Sequence, residues 1–392
     1  MRSSKNAAII ATLTLATLLA ATVRAEVPLH LRVIFQTDPA HQATIAWTTM
    51  QPLDDAAIEV RRRGDEAWAK ITADSGKFAP GAPDAWYHHV RLTQLDPNTV
   101  YEIRNPGDAE TRWFRTASDQ DEPFVLLSGG DSRSGIDERK QMNRMMARLV
   151  AEQAAAGRPP VLALAHGGDF IVDGTKLPLW LDWLEHHSLT TTNDGQLLPV
   201  IPTRGNHDMG RLFNQVWAFA ADNDNYFVTQ LSPSAALITL NTETSTAGDQ
   251  RDWLAQQLPE LRARSRWLLT QYHKPAFPAV KIPSGAYTNW VPLFEEHRVD
   301  LAIESDGHVV KRTPPIRDNK VDSAGVVYIG EGGLGVGQRT PKTNRWYLQP
   351  TADKCGAMHH LHLLTFTPER LNVKVIKLGG DVFDEFDLLP RR

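Results

Sequence analysis

One cysteine among 392 residues excludes an intramolecular disulfide framework, so the core has to rest on packing rather than on staples. An excess of one charge is also lacking. The chain carries 42 Lys and Arg against 46 Asp and Glu, with no basic cluster, which excludes the electrostatic footprint of a protein wrapped on a nucleic-acid backbone. No tight nucleic-acid partner is expected. Beyond residue 25 no apolar run approaches the ~20 residues of a membrane-crossing helix, so no transmembrane segment is expected in the mature chain. There is no Gly-x-Ser-x-Gly elbow to supply a serine nucleophile. The segment Gly330-Glu331-Gly332-Gly333-Leu334-Gly335-Val336-Gly337 has the glycines of a phosphate cradle without its Gly-Lys-Ser/Thr ending, and reads as a turn. What is present, 42% hydrophobic residues over this length, is the composition of an ordinary globular protein with two unequal domains.

The N-terminus stands apart. Arg2 and Lys5 precede an apolar stretch from Ala7 to Thr22, and Val23-Arg24-Ala25 closes it with a small-x-small pattern. This predicts a secretory signal peptide over residues 1–25, cleaved near Ala25, and a secreted or periplasmic destination. Cys355 then enters an oxidising space with no partner in its own chain, as a buried thiol or an intermolecular link.

Two architectures follow, giving a fold class of α+β/α/β. From 26 to 118 short alternating segments recur: Leu31 to Thr37, Ala43 to Met50, Ala57 to Arg63, Trp86 to Leu92, Val100 to Arg104 and Thr111 to Thr116. They predict an N-terminal β-sandwich of fibronectin type III-like form, with Tyr101 placed for the corner hydrogen bond of such domains. Asp119 to Pro123 is a polar, proline-closed boundary. From 122 to 392 strands alternate with helices: Phe124 to Leu127, helix Ile136 to Ala155, Val161 to Ala165, a helix around Leu179 to His187, and Leu198 to Ile201. Further strands are predicted at Ala235 to Leu240, Trp267 to Gln271, Leu301 to Glu304, Val326 to Ile329 and His360 to Phe366. Trp180, Trp183, Trp253 and Trp290 fall at amphipathic helical positions and read as core.

In α/β sheets ligands lie beyond the carboxyl ends of the strands. The residues there form a consistent set: Gly129-Gly130-Asp131-Ser132-Arg133, His166-Gly167-Gly168-Asp169, Gly205-Asn206-His207-Asp208, Gln271-Tyr272-His273-Lys274 and Glu304-Ser305-Asp306-Gly307-His308. Each motif alone has a plain reading as a turn, cap or core histidine. Five successive strand ends converging carboxylate, amide and imidazole donors instead point to a pair of transition-metal ions.

With these motifs the chain resembles the calcineurin-like metallophosphoesterase superfamily, most closely its purple acid phosphatase branch. That branch joins a fibronectin-like domain to an αββα sandwich, and the likeness runs through the Asp249-Gln250-Arg251-Asp252-Trp253-Leu254 helix opening and the Gly330 to Gly337 segment. The resemblance implies that Asp131 and His308 ligate a first metal, that Asp169 bridges both, and that Asn206, His273 and Asp306 ligate the second. It implies His207 as the residue that protonates the leaving group, held by Asp208 or a nearby carbonyl. The ions would be iron, manganese or zinc.

Two positions depart from the family pattern. Asp306 stands where the last motif has a histidine, and Val172 stands where the purple enzymes have their tyrosinate; Asp173 beside it is a substitute ligand or a turn residue. One negative charge is lost at the first metal and one gained at the second, so two divalent ions and a colourless protein are expected. Arg133 is a candidate phosphate contact through its planar fork, with Arg204 and Arg312 as weaker versions. The implied function is an exported phosphatase acting on small phosphate monoesters. Diesterase activity on the same site, or a non-catalytic phosphate binder, are the alternatives.

Overall fold

A computed structural model describes residues 28–79, 81–106, 108 and 110–391; the expected signal peptide lies outside the described residues. The first strands are β1 (Leu29–Ile34), β2 (Ala43–Thr49), β3 (Ala57–Arg62), β4 (Ala69–Thr72), β5 (Asp74–Lys77), β6 (Trp86–Leu92), β7 (Val100–Arg104) and β8 (Arg112–Arg115). β3, β4, β7 and β8 form a four-stranded sheet in the order β4-β3-β7-β8. It packs on β1, β2 and β6 through Ile45, Trp47, Ile58, Val90, Ile103 and Phe114. The Tyr101 hydroxyl accepts the Asp96 backbone N–H at 2.8 Å, the corner bond expected from the sequence.

The α/β region follows with β9 (Phe124–Gly129), α1 (Ile136–Ala155), β10 (Val161–His166), α2 (Leu177–His187), β11 (Val200–Pro202), α3 (Leu212–Val216), β12 (Phe227–Ser232), β13 (Ala235–Thr239), α4 (Asp249–Arg264) and β14 (Trp267–Tyr272). It closes with α5 (Gly285–Asn289), α6 (Val291–Glu296), β15 (Leu301–Glu304), β16 (Lys311–Arg312), β17 (Ile316–Arg317), β18 (Lys320–Val321), β19 (Val327–Gly330), β20 (His360–Phe366), β21 (Leu371–Lys377) and β22 (Val382–Leu388). A six-stranded sheet runs β12-β13-β14-β15-β19-β16. A ten-stranded sheet runs β22-β21-β20-β9-β10-β11-β1-β2-β6-β5.

That long sheet crosses the boundary drawn at Asp119 to Pro123. β1 pairs in parallel with β11 at Ile34 and Val200, so the N-terminal strands extend the α/β sheet. The core is correspondingly shared: Val33, Ile45 and Phe114 of the sandwich join one apolar cluster with Leu126, Ala165, Leu237, Leu269 and Ile303 between the two large sheets. Helices cover the outer faces. Met142, Met145 and Met146 of α1 pack on Leu127 and Leu361, and Leu254, Leu258 and Leu261 of α4 pack with Phe294 on the other sheet. Trp180, Trp183 and Trp290 are buried, in keeping with their helical spacing, while Trp253 is only partly buried.

β9, β10 and β11 are mutually parallel, as are β13, β14, β15 and β19, so their carboxyl ends lie at one edge of each sheet. The loops leaving that edge are stitched together. Asp131 and Ser132 donate backbone N–H groups to the carbonyls of Gly168 and Asp169 at 2.9 and 3.0 Å.

Candidate metal centre

Asp131, Asp169, Asp306 and His308 each leave a strand end in the left-handed region, with φ of 55°, 56°, 68° and 60°. A non-glycine residue there is held against a steric cost of about 1–2 kcal/mol, and its side chain is turned off the strand direction into the space between loops. All four are buried, as is His273 directly after β14. One ligand atom from each of Asp131, Asp169, His273 and Asp306 falls within 4.8 Å of the others.

Around His273 the acceptors are closely set. Its Nδ1 donates to the Gly167 carbonyl at 2.8 Å, which turns Nε2 to the cluster. Nε2 lies 3.2 Å from Asp169 Oδ1, 3.2 Å from Asn206 Oδ1 and 3.6 Å from Asp306 Oδ1. Burial pulls the basicity of His273 down, but the charges of Asp169, Asp306 and Asp131 outweigh it and raise the imidazole well above its usual range. The carboxyls of Asp169 and Asp306 are held well below theirs against burial, mainly by His273, with Lys281 also bonded to Asp306. An Nε2 proton and a divalent ion therefore meet the same donor set, and this set of two carboxylates, an amide oxygen and an imidazole suits such an ion.

The second grouping centres on Asp131 and His308. His308 donates from Nδ1 to the Gly337 carbonyl at 3.1 Å and accepts at Nε2 from the Arg133 guanidinium at 3.2 Å, so Nε2 presents a lone pair. Asp131 Oδ1 is 3.3 Å from that nitrogen and has no hydrogen-bond partner. A buried, unpartnered carboxylate oxygen beside an imidazole lone pair fits a cation between them. Arg133 also donates through Nε to Asp169 Oδ2 at 3.1 Å.

The structure thus brings Asp131, Asp169, Asn206, His273, Asp306, His308 and Arg133 together. His207 is tied to the same place, its backbone N–H donating to Asp169 Oδ1 at 2.9 Å and its Nδ1 to the Val172 carbonyl at 2.7 Å. Of the two partners expected for this ring, the carbonyl is the one in contact. The Asp208 carboxylate turns instead to the backbone, accepting N–H groups from Asp169, Phe170 and Gly205 at 2.7, 2.9 and 2.9 Å. Burial and the Asp169 charge push its carboxyl up to about 8, against the Gly205 and Asp169 N–H groups and the charge of His273. Asp173 closes an exposed turn on Thr175. Arg312 pairs with Asp384, and Arg204 bonds Asn225 and Gly210, so neither joins the cluster through those contacts.

The glycine-rich segment is a turn against the site, as its missing Lys-Ser ending suggests. Gly332, at φ +76°, passes so close that a side chain would collide with the Asp131 carboxylate, and Gly337 supplies the carbonyl that orients His308. Two contributions were not legible in the motifs. Lys281, in the loop after β14, pairs with Asp306. Glu331, with Lys311 and Glu304, forms a buried ion cluster under the Asp306-Gly307-His308 loop, where it fills the space a side chain at 307 would need. No helix among the described residues is long and apolar enough to cross a membrane.

Known proteins share this domain order and fold. The purple acid phosphatase N-terminal domain profile matches residues 28–118, and that of calcineurin-like phosphoesterases matches 108–311. An uncharacterized protein of Mycobacterium tuberculosis is 21% identical over 80% of this chain, and the chain spans 64% of that relative's length. Purple acid phosphatase 21 of Arabidopsis thaliana is 23% identical over 78% of this chain and 69% of its own. Among solved structures, purple acid phosphatase PPD1 of yellow lupin (Lupinus luteus) superposes with a TM-score of 0.74 at 17% identity, covering 93% of this chain and 74% of that one. GAP50, the anchor in the inner membrane complex of Plasmodium, shares the fold with a TM-score of 0.52 at 13% identity, covering 69% of this chain and 90% of that one.

Proposed function

From the premise that this chain belongs to the calcineurin-like phosphoesterase family, we propose that it is an exported, dinuclear-metal hydrolase of small phosphate monoesters, colourless for want of the tyrosinate. The observation that carries the reading is the convergence of Asp131, Asp169, His273 and Asp306 within 4.8 Å, with an unpartnered Asp131 oxygen facing the His308 lone pair.

Asp131 and His308 would hold one ion, Asn206, His273 and Asp306 the other, and Asp169 both. When bound, such ions acidify water and neutralise phosphoryl oxygens. The protein's own part is to bind, orient and move one proton. His207, fixed at Nδ1 by the Val172 carbonyl, offers Nε2 to the leaving oxygen and is placed to protonate it. Asp208 holds the loops of Asp169 and Gly205 in register by three backbone bonds, acting on structure rather than on the proton. The Arg133 fork, only 13% exposed and bonded to Asp169 and His308, would offer two parallel donors to phosphoryl oxygens once those bonds are released.

The N-terminal sandwich, read as fibronectin type III-like over 26–118, acts as a structural flank, since its strands prolong the catalytic sheet. Export rests on residues 1–25 and is tested by sequencing the N-terminus of protein recovered outside the cytoplasm. Activity is tested with chromogenic phosphate mono- and diesters and manganese, zinc or iron. Monoester turnover abolished by Asp169→Asn supports the proposal. Faster diester turnover reassigns the substrate class, and phosphate binding without turnover of either makes the chain a binder.

A further inference from the structure

We infer that Arg133 is a resident cation at the first-metal position and makes the two metal sites unequal, so that the His273 site loads first and the Asp131 site loads only by displacing a guanidinium; this rests on the dinuclear reading above. The two sets of ligand atoms meet side-chain cations in different ways. Among the described residues, the lysine or arginine side chain that meets the side chains of Asn206, His273 and Asp306 is Lys281, on the Asp306 carboxylate, while the shared Asp169 carboxylate meets Arg133 through its other oxygen. Its side chain is 37% exposed, so a rotamer change returns it to solvent. Arg133 meets two members of the cluster, through Nε to Asp169 Oδ2 at 3.1 Å and through a terminal nitrogen to His308 Nε2 at 3.2 Å, its other terminal nitrogen lies 3.5 Å from Ser134 Oγ, and its side chain is 13% exposed.

Those two acceptors are the atoms an ion beside Asp131 would use. His308 cannot turn a different lone pair to the ion, because its other nitrogen is held by the Gly337 carbonyl. An ion at this position must therefore break both arginine bonds, one of them to a charged carboxylate, before its own bonds form. With Val172 where the family's tyrosinate would stand, no additional anionic ligand at that position offsets the loss. The displaced guanidinium, tethered at residue 133, stays at the mouth of the centre. The side chain that opposes the first ion thus becomes the one that meets the phosphoryl group, coupling metal loading to substrate binding.

The test is a calorimetric titration of the chelator-stripped mature chain with Mn(II), beside Arg133→Ala and the double variant Arg133→Ala/Asp131→Asn. The wild type is expected to bind two ions in separate steps, one tight and one weak. Arg133→Ala should tighten the weak step by roughly tenfold to a hundredfold, the loss of one to two charge-assisted bonds, and leave the tight step in place. The double variant should lose the tightened step, assigning it to the Asp131 site. Thermal unfolding of the metal-free proteins checks folding, and Arg133→Lys, keeping the charge without the fork, gives a second variant expected to fall between. Superimposable isotherms for wild type and Arg133→Ala, or a shift confined to the tight step, overturn the inference and leave the dinuclear reading standing. Fewer than two ions bound by every variant overturns both.

Discussion

His308 Nε2 lies 3.3 Å from Asp131 Oδ1; the ring's Nδ1 bonds the Gly337 carbonyl, Nε2 meets the Arg133 guanidinium, and Asp131 Oδ1 is buried without a hydrogen-bond partner. Arg133 meets the imidazole but not Oδ1, so this buried carboxylate oxygen is the acceptor left for an ion. Asp131→Asn removes the charge while keeping an oxygen for the Asp306 backbone N–H, which Asp131 Oδ2 accepts at 2.8 Å. The expected outcome is loss of about one ion per chain by elemental mass spectrometry at saturating metal, without loss of thermal stability in the metal-free protein. Full metal content in that variant, or a clear fall in its metal-free Tm, would remove this pair from the centre.

Asp208 is a scaffold for the loops. Replacing it with Asn leaves one acceptor oxygen for three buried N–H groups and turns an amide NH2 toward the remainder. At about 1–3 kcal/mol for each unsatisfied donor, Asp208→Asn should lower the unfolding free energy by roughly 3 kcal/mol in a urea titration. If stability holds and only the basic limb of a pH–rate profile moves, Asp208 acts on His207 instead.

Lys311 is fully buried between Glu304 and Glu331, and its Nζ also bonds the Phe277 carbonyl. Lys311→Met leaves two carboxyls facing each other in the interior and should cost about 3–5 kcal/mol. Adding Glu304→Gln and Glu331→Gln should restore most of that. Equal stabilities for the single and triple variants would show that charge burial is not the cause.

Acid should unfold the chain early. Burial lowers His30, His89 and His187 to about 3 and His360 to about 4, with the Arg32 charge adding to the first three. These groups are neutral when folded and titrate near 6.5 when unfolded, so between those values the unfolded chain binds more protons. Their contribution is fully present above pH 6.5 and is lost as pH falls toward 3–4, each adding a slope of about 1.4 kcal/mol per pH unit. His273, raised by its carboxylates, runs the other way in the metal-free chain, losing its contribution as pH rises through its folded value. His88, lowered to about 4, and His166, His186 and His362, all lowered by burial, act with these four, while Asp208, raised to about 8, and Glu331, raised to about 7, act with His273; the lowered histidines are the more numerous, and a net decline on acidification is expected. Denaturant midpoints that stay level or increase from pH 6.5 down to 4.5 contradict this.

Much of the candidate cluster was legible because its residues follow strand ends, where a glycine-flanked aspartate or histidine advertises a turn of unusual backbone geometry. The positive φ at Asp131, Asp169, Asp306 and His308 is the physical form of that signal. Lys281 gave none, being eight residues past His273 in a proline-flanked loop, where reach is decided by tertiary structure. Asp208 shows the reverse, since adjacency to His207 in sequence says nothing about which donors its carboxylate meets. In the fold, the helix Ile136 to Ala155 and the strand Leu301 to Glu304 lie where periodicity places them. The strand Asp74–Lys77 was missed because Gly76 and exposed polar residues weaken its pattern. The strand Leu371–Lys377 alternates in sequence, with Leu371, Val373 and Val375 buried. The pairing of β1 with β11 joins residues 34 and 200, beyond any local pattern.

Metal content at saturation, compared between the wild type and Asp169→Asn, addresses the central claim most directly. Asp169 Oδ1 faces His273 and its Oδ2 the Arg133 fork beside His308, so this one carboxylate serves both sets of ligands. The expected result is two transition-metal ions per wild-type chain and fewer than one in the variant. Equal content in the two proteins, or none in the wild type after incubation with manganese, iron and zinc, would contradict the account.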